Sequence, residues 1–366
     1  MKRITIFLLI FSFYGCTETM PEKEQENNTS GDSATTENPA DDPDDSDTDE
    51  DNGYTVSNVV IGYGTEYSLN GMLSMPDNAI ETAKVPAVVL VHGSGPSDMD
   101  EKVYENKPFR DIAKYLAANG IAVIRYTKRT YRYGEKMLEE LGGSLTVYEE
   151  TIEDAILAAE ILKSDPRIDE NKVFIIGHSL GGMLAPRIHA EGGDFAGIIS
   201  LAGSPRTLFD IGYPQTMALI EAMEEGEEKE AQLASMAGFD EQVEFILNLS
   251  DDEAKNTPVG AGGMSAYYYK DMSTHPIPEY VKDITVPFLI LQGSADFQVY
   301  ADIDYVAWQE LLAGRENVTF KLYDGLNHFF MPSTGRTMAE IAEEYKIAGH
   351  IDEHVLSDIA DWIKAN

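Results

Sequence analysis

The sequence Gly177-His178-Ser179-Leu180-Gly181 follows the apolar run Lys172-Val173-Phe174-Ile175-Ile176 and precedes a segment with the pattern of a helix. A serine between two glycines at such a junction predicts a sharp strand-to-helix turn with strained backbone angles. Side chains at Gly177 and Gly181 would collide across that turn. The geometry lifts the Ser179 hydroxyl clear of the sheet, which makes Ser179 the candidate nucleophile.

Three further motifs follow apolar runs and supply what a serine nucleophile needs. His92-Gly93-Ser94-Gly95-Pro96 is a glycine-rich turn that can direct a backbone N–H at a developing oxyanion. Gln292-Gly293-Ser294-Ala295-Asp296 places a carboxylate at a strand end, and Gly325-Leu326-Asn327-His328-Phe329 places a histidine in a loop. The chain order of nucleophile, acid and histidine differs from that of chymotrypsin-like and subtilisin-like proteases.

The pattern around these motifs predicts an α/β architecture. Residues 54–61 and 67–75 predict two strands at an antiparallel edge. Alternating elements follow, with strands predicted at 85–91, 121–126, 172–176, 196–201, 287–291 and 319–323, and helices at 109–119 and 151–163. Such alternation predicts a mainly parallel, doubly wound sheet with functional loops at the carboxyl ends of its strands. Residues 206–285 break the alternation and predict a mostly helical cap inserted after the sixth strand, roofing the site.

The first sixteen residues predict a bacterial lipoprotein signal peptide. Met1-Lys2-Arg3 is a short positive region, Ile4–Tyr14 is an apolar stretch too short to span a membrane comfortably, and Gly15-Cys16 resembles a lipobox. The expected product is lipidated at Cys16 and held at the membrane of the bacterial cell envelope, on its periplasmic or cell-surface side. The alternative is an ordinary signal peptide cleaved nearby. Cys16 is the only cysteine, so the folded part can form no disulfide.

Residues 17–53 are acidic and almost free of apolar side chains, which predicts a disordered tether before the catalytic domain at 54–366. A calcium loop is a sharper interpretation of the run Asp41–Asp51, but it lacks the glycine and the closing glutamate of such loops. The formal net charge is −37. Nucleic acid is therefore excluded as an expected partner, and polyanionic substrates are disfavoured.

From Tyr54 to Asn366 the chain resembles the α/β-hydrolase superfamily, most closely bacterial esterases with a dienelactone-hydrolase-like or serine-aminopeptidase-like core. The resemblance implies the α/β-hydrolase fold, Ser179 as nucleophile, Asp296 as acid and His328 as base. It also implies an oxyanion hole formed by the backbone N–H groups of Ser94 and Leu180. The elbow and loop residues expected to support them are Gly93, Gly177, His178 and Gly181. Family members often carry an Arg-x-Asp-x-Arg-Gly turn, from which Arg125-Tyr126-Thr127-Lys128-Arg129-Thr130 departs.

Several of these residues have alternative interpretations. Asp324 precedes His328 closely and competes with Asp296 for the acid, and His328 itself could be a packed core histidine. His178 is expected to pack beneath the elbow. His189 and His275 are expected at surface or cap positions. His350 and His354 are expected on a solvated helix face. The last two could bind zinc only with a third ligand, which the sequence does not offer. No metal and no cofactor is expected.

The leading functional hypothesis is a serine hydrolase that cleaves small-molecule carboxylic esters of small or medium acyl groups through an acyl-enzyme intermediate. The alternative is a serine peptidase, aminopeptidase or amidase that uses the same three side chains. An aminopeptidase would need acidic residues for a free amine, and the cap offers Glu221, Glu224, Glu225, Glu227 and Glu228, which are more simply a solvated helix face. A third class is a tethered binding protein on a hydrolase fold that has lost its activity.

Overall fold

A single eight-stranded sheet organises the protein in a computed structural model that describes residues 52–259 and 264–366. The strands are β1 (Tyr54–Ile61), β2 (Leu69–Pro76), β3 (Val85–Val91), β4 (Ala122–Tyr126), β5 (Ile168–His178), β6 (Ile198–Leu201), β7 (Phe288–Gly293) and β8 (Val318–Tyr323). Their order is β1-β2-β4-β3-β5-β6-β7-β8. Pairs β1–β2 and β2–β4 are antiparallel and the others are parallel. This confirms the predicted α/β-hydrolase fold and its antiparallel edge.

Helices connect the strands. They are α1 (Pro108–Ala118), α2 (Arg129–Glu140), α3 (Glu153–Ser164), α4 (Leu180–Ile188), α5 (Leu208–Glu221), α6 (Glu227–Met236), α7 (Phe239–Asn248), α8 (Asp251–Lys255), α9 (Ala266–Thr274), α10 (Ile277–Val281), α11 (Val306–Leu311), α12 (Ile341–Tyr345) and α13 (Glu353–Ala365). α2 is not among the helices predicted from the sequence, and only Arg129 and Met137 of its residues are buried.

The core lies on both faces of the sheet. Along β3, Val88 and Leu90 join a buried cluster that includes side chains of α1 and α13. Ala87, Val89 and Val91 of the same strand join a second cluster with side chains of α3 and α4. Because successive strand residues point to opposite faces, a strand covered on both sides must be apolar throughout. This explains the continuous apolar runs of the sequence.

Six helices, α5 to α10, occupy the segment between β6 and β7, which is called the helical insertion (residues 206–285) below. Side chains of this insertion bind loops of the sheet domain. Gln215 donates to the carbonyl of Gln298 at 2.7 Å, and the Ser265 hydroxyl donates to the carbonyl of Gly143 at 2.7 Å. Asp271 forms an ion pair with Arg187 of α4 at 3.0 Å. These polar contacts attach the insertion to the loop after β7, to the segment after α2 and to α4.

The predicted signal peptide with Cys16 and nearly all of the predicted acidic tether lie outside the described residues, as do residues 260–263 of the insertion. Those interpretations stay predictions. Across 52–259 and 264–366, no helix has both the length and the apolar character that crossing a bilayer requires.

Candidate active site

Ser179 lies at the turn between β5 and α4, with φ 52° and ψ −115°. Side chains are strained in this region of backbone space, as the sequence predicts for an elbow. A Cβ on Gly177 would lie 2.1 Å from the carbonyl oxygen of Gly181, so only glycine allows the turn to close there. A Cβ on Gly181 would instead lie 2.2 Å from the carbonyl oxygen of Val91, so this glycine lets the turn pack against β3.

The loops after β7 and β8 bring Asp296 and His328 together. Nδ1 of His328 lies 2.7 Å from Oδ2 of Asp296. That carboxylate is held by the backbone N–H groups of Gln298 (2.8 Å) and Val299 (3.0 Å) and by the Gln292 amide (2.9 Å). Because a carboxylate only accepts hydrogen bonds, Nδ1 of His328 carries the hydrogen and Nε2 presents its lone pair.

Asp324, the alternative acid, has a different place. Its Oδ1 accepts a hydrogen bond from the Ser294 hydroxyl at 3.2 Å, and its side chain is exposed. The contact of His328 with Asp296 leaves Asp324 outside the site.

The two atoms that would exchange a proton both lack a hydrogen-bond partner in the described part of the chain. They are Oγ of Ser179 and Nε2 of His328, and both are buried. The two residues are 4% and 0% exposed. His328 also contacts the residue next to the serine, because its carbonyl accepts from Nε2 of His178 at 3.0 Å. Buried polar atoms in folded proteins are normally paired, so two unpaired ones on these side chains indicate a place where a substrate completes the bonding.

A buried ion pair lies beneath the nucleophile. Nδ1 of His178 is 3.0 Å from Oε1 of Glu101, while Nε2 donates to the carbonyl of His328. Both ring nitrogens therefore face acceptors, which is the arrangement of a charged imidazolium. Burial alone would lower the pKa of His178, but the Glu101 carboxylate outweighs it and raises that pKa. Burial likewise opposes ionisation of Glu101, and the charge of His178 outweighs it and lowers the pKa of Glu101.

The loop after β3 lies against the serine. A Cβ on Gly93 would lie 3.2 Å from Cβ of Ser179. The Gly93 N–H donates to Oε1 of Glu101 at 2.7 Å, so it is not available to an oxyanion. Ser94 is the next residue and carries the next N–H. Leu180 begins α4, where a backbone N–H has no acceptor within the helix. The oxyanion role of the Ser94 and Leu180 N–H groups stays a prediction, supported by the contact of the Gly93 loop with Ser179.

Sequence reasoning missed three charged residues of this region: Glu101, Lys128 and Glu150. Lys128 is 2% exposed, and its Nζ lies 2.5 Å from Oε1 of Glu150. The signal for Lys128 was its place in the turn at 125–130 that departs from the family pattern. The carboxylates gave no signal, because their partners are 22 to 77 residues away along the chain.

The other cations of that turn are paired as well. Arg125 donates to Asp100 at 2.8 Å, and Arg129 contacts Asp154. Burial raises the pKa of Asp154 to about 6 even though Arg129 opposes that shift. The turn is therefore held by four carboxylates from neighbouring segments, those of Asp100, Glu150, Glu153 and Asp154.

The remaining predicted candidates lie apart from the site. His189 is half-buried and accepts from the backbone N–H of Phe195 at 3.0 Å, and His275 ends α9 in the insertion. The five glutamates proposed for an amine are all exposed: Glu221, Glu224, Glu225, Glu227 and Glu228.

The expectation that His350 and His354 share a helix face is wrong. The Asp352 side chain caps α13, which begins at Glu353, so His350 lies before the helix and pairs with Asp111 at 3.0 Å. Within the described residues, no group of three or more His, Cys, Asp or Glu side chains could hold a metal ion.

Comparison with known proteins places the chain in a family. A family model described as alpha/beta hydrolase family matches residues 88–343. The chain is 35% identical over 300 residues to esterase EstD of Thermotoga maritima. The match covers 82% of this chain and 66% of EstD. A shorter match, 32% identical over 146 residues, joins 38% of this chain to 15% of the probable dipeptidyl-aminopeptidase B of Paracoccidioides lutzii.

Solved structures resemble the chain at lower identity. Est1E of Butyrivibrio proteoclasticus superposes with a TM-score of 0.48 and 18% identity, over 83% of this chain and 99% of that one. The family model covers well over half of the chain. The chain therefore belongs to the alpha/beta hydrolase family.

Proposed function

We propose that the protein is a serine carboxylesterase that hydrolyses esters of small or medium acyl groups through an acyl-enzyme intermediate. One observation carries the proposal: the buried, unpaired Oγ of Ser179 and Nε2 of His328, with Asp296 fixed behind the imidazole. The similarity to an esterase over most of the chain supports ester hydrolysis.

The chemistry follows from the protonation states. A serine hydroxyl is a poor nucleophile, so Nε2 of His328 takes its proton as Oγ attacks the acyl carbon. Asp296 stabilises the imidazolium that forms. The backbone N–H groups of Leu180 and Ser94 hold the negative oxygen of the tetrahedral intermediate. The imidazolium then gives its proton to the leaving alcohol, and water activated by the same nitrogen releases the acid.

Peptide hydrolysis receives less support. The match to the probable dipeptidyl-aminopeptidase covers only 15% of that protein. The five glutamates lie at the end of α5, in the loop that follows and at the start of α6, and all face solvent, where an amine would be bound weakly.

The test is a panel of p-nitrophenyl esters of increasing acyl length beside aminoacyl anilides, with wild type and Ser179→Ala. We expect ester turnover without anilide turnover in the wild type. In Ser179→Ala we expect kcat to fall by about 10⁶, as in other serine hydrolases that lose the nucleophile.

Ser164→Ala is the matched control, because its hydroxyl donates only to the carbonyl of Glu160 at the end of α3. We expect wild-type kcat for that variant. Wild-type ester turnover in Ser179→Ala, or anilide turnover that exceeds ester turnover, would reject the proposal.

A further inference from the structure

Lys128 is a buried cation that the proposed chemistry does not use. It is the second residue after β4, and only 2% of its surface is exposed. Its Nζ lies 2.5 Å from Oε1 of Glu150 and 2.8 Å from the carbonyl oxygen of Gly93. A buried charge must be both paired and hydrogen-bonded to be tolerated. Glu150 supplies the pairing, so the bond to Gly93 is the part of the arrangement that reaches the active site.

The bond to Gly93 determines the direction of the next N–H. A trans peptide is planar, so the carbonyl of Gly93 and the N–H of Ser94 point in opposite directions from one rigid unit. Lys128 holds the carbonyl end of this unit. On the preceding peptide, Glu101 holds the Gly93 N–H at 2.7 Å. Two buried side chains of opposite charge therefore restrain the loop against rotation about the bonds of Gly93, where glycine alone would be free.

Lys128 is itself held by the helical insertion. The second oxygen of Glu150 accepts a hydrogen bond from the Tyr268 hydroxyl of α9 at 2.7 Å. Tyr268 is buried, and its burial beside Glu150 raises the pKa of its hydroxyl far above the usual value, so it remains a donor. A continuous path of hydrogen bonds thus runs from α9 through Glu150 and Lys128 to the Gly93–Ser94 peptide.

We propose that Lys128 is a positioning residue for the oxyanion hole, which fixes the Ser94 N–H toward the developing negative charge. The inference rests on the proposed ester hydrolysis, since it assigns a role in that reaction. Removing Lys128 lets the peptide rotate, and the donor is then aligned for only part of the time. The loss should appear in the transition state and not in substrate binding, because the ground-state carbonyl carries little charge.

The test compares Lys128→Met with Lys128→Met/Glu150→Gln. The second variant leaves no unpaired carboxylate, so it keeps the proposal testable if the first fails to fold. We expect kcat to fall about 10- to 100-fold with KM within about twofold of wild type, because complete loss of one oxyanion donor costs about 10²–10³. The Ki of a trifluoromethyl ketone, whose serine adduct carries an oxyanion, should rise by the same factor. Titration of Ser179 with a fluorophosphonate counts the competent sites, so that a folding defect is separated from a slow reaction.

Lys163→Met is the matched control. Lys163 also donates to backbone carbonyls, those of Gly193 (2.9 Å) and Asp194 (2.7 Å), but it lies at the end of α3 that leads into the amino end of β5. We expect wild-type kcat and Ki. If both Lys128 variants match this control while wild type is active and Ser179→Ala is not, the positioning role is overturned and the proposed function stands.

Failure of the proposed function has a separate signature, namely no ester turnover in wild type. In that case the rate constant for phosphonylation of Ser179 replaces kcat, because the phosphonyl oxygen enters the same hole. A rate unchanged by Lys128→Met would again overturn the positioning role, and a rate lowered about tenfold or more would support it.

Discussion

Two charges, on His178 and Glu101, are buried next to Ser179. Removing such charges from water is expensive, and an apolar pair of the same shape would often be as stable. The pair nevertheless touches two functional parts at once, because His178 donates to the carbonyl of His328 and Glu101 accepts from the N–H of Gly93. The pair therefore connects the backbone of His328 and the loop at Gly93 to the residue that precedes Ser179.

The pair should make stability depend on pH in a way that can be measured. The raised pKa of His178 contributes stability that is complete below about pH 6.5, the ordinary value, and is lost as pH rises through the raised pKa. The lowered pKa of Glu101 contributes stability that is complete above about pH 4.5 and is lost as pH falls through the lowered pKa. We expect the free energy of unfolding of wild type minus that of His178→Asn/Glu101→Gln to be largest between these values.

Urea unfolding from pH 3 to pH 9 checks this expectation. His350→Asn is the control, because that imidazole is exposed and its pair with Asp111 contributes little at any pH. A difference between wild type and the double variant that increases steadily from pH 6.5 to pH 9 would contradict the assignment of an ion pair.

The junction of β5, its turn and α4 carries backbone strain at Ser179, whose φ is 52°. Strain of this kind amounts to about 1–3 kcal/mol for a residue other than glycine. Ser179→Gly removes it, whereas Ser179→Ala keeps it. Part of the gain is offset by the flexibility of glycine in the unfolded chain, about 0.5–1 kcal/mol.

We expect the glycine variant to be more stable than the alanine variant by about 1 kcal/mol, measured by urea unfolding. Both variants lack the Ser179 hydroxyl, so activity that depends on it is lost in each. An alanine variant of equal or greater stability would show that the turn is relaxed.

The strands, turns and helices differ in how far they could be predicted from the sequence. The strands of the parallel part were predictable because burial on both faces makes them continuously apolar, and Ser179 was predictable because Gly177 closes a turn that no other residue permits. The contact between His328 and Asp296 agrees with the order of the motifs. Lys128 and Glu150 were not predictable as a pair, because a contact between polar residues in different segments leaves no periodicity. The boundary of α13 was also missed, since it depends on Asp352 as a cap.

For the whole molecule, the formal net charge of −37 sets the interaction with charged substrates. The field of so many carboxylates repels anions, and salt screens it, with a Debye length of about 30 Å at 0.01 M and about 8 Å at 0.15 M. We expect the KM of an ester that bears a carboxylate to fall when NaCl is raised from about 10 mM to about 150 mM. A neutral ester with the same acyl group is the control and should change little. A KM for the anionic ester that rises with salt would indicate a locally basic pocket.

The position of β1 decides how the protein can be attached to a surface. Two antiparallel pairings separate β1 from β4, so β1 runs in the same direction as β5, and Tyr54 begins at the opposite end of the sheet from Ser179. In the strand order β1 is also four places from β5, roughly 19 Å at about 4.8 Å per strand. A bead or electrode coupled ahead of Tyr54 would therefore contact the end of the sheet opposite Ser179, at its β1 edge. Ser179 would then face the bulk solution. Substrate could be supplied and product removed while the protein stays attached.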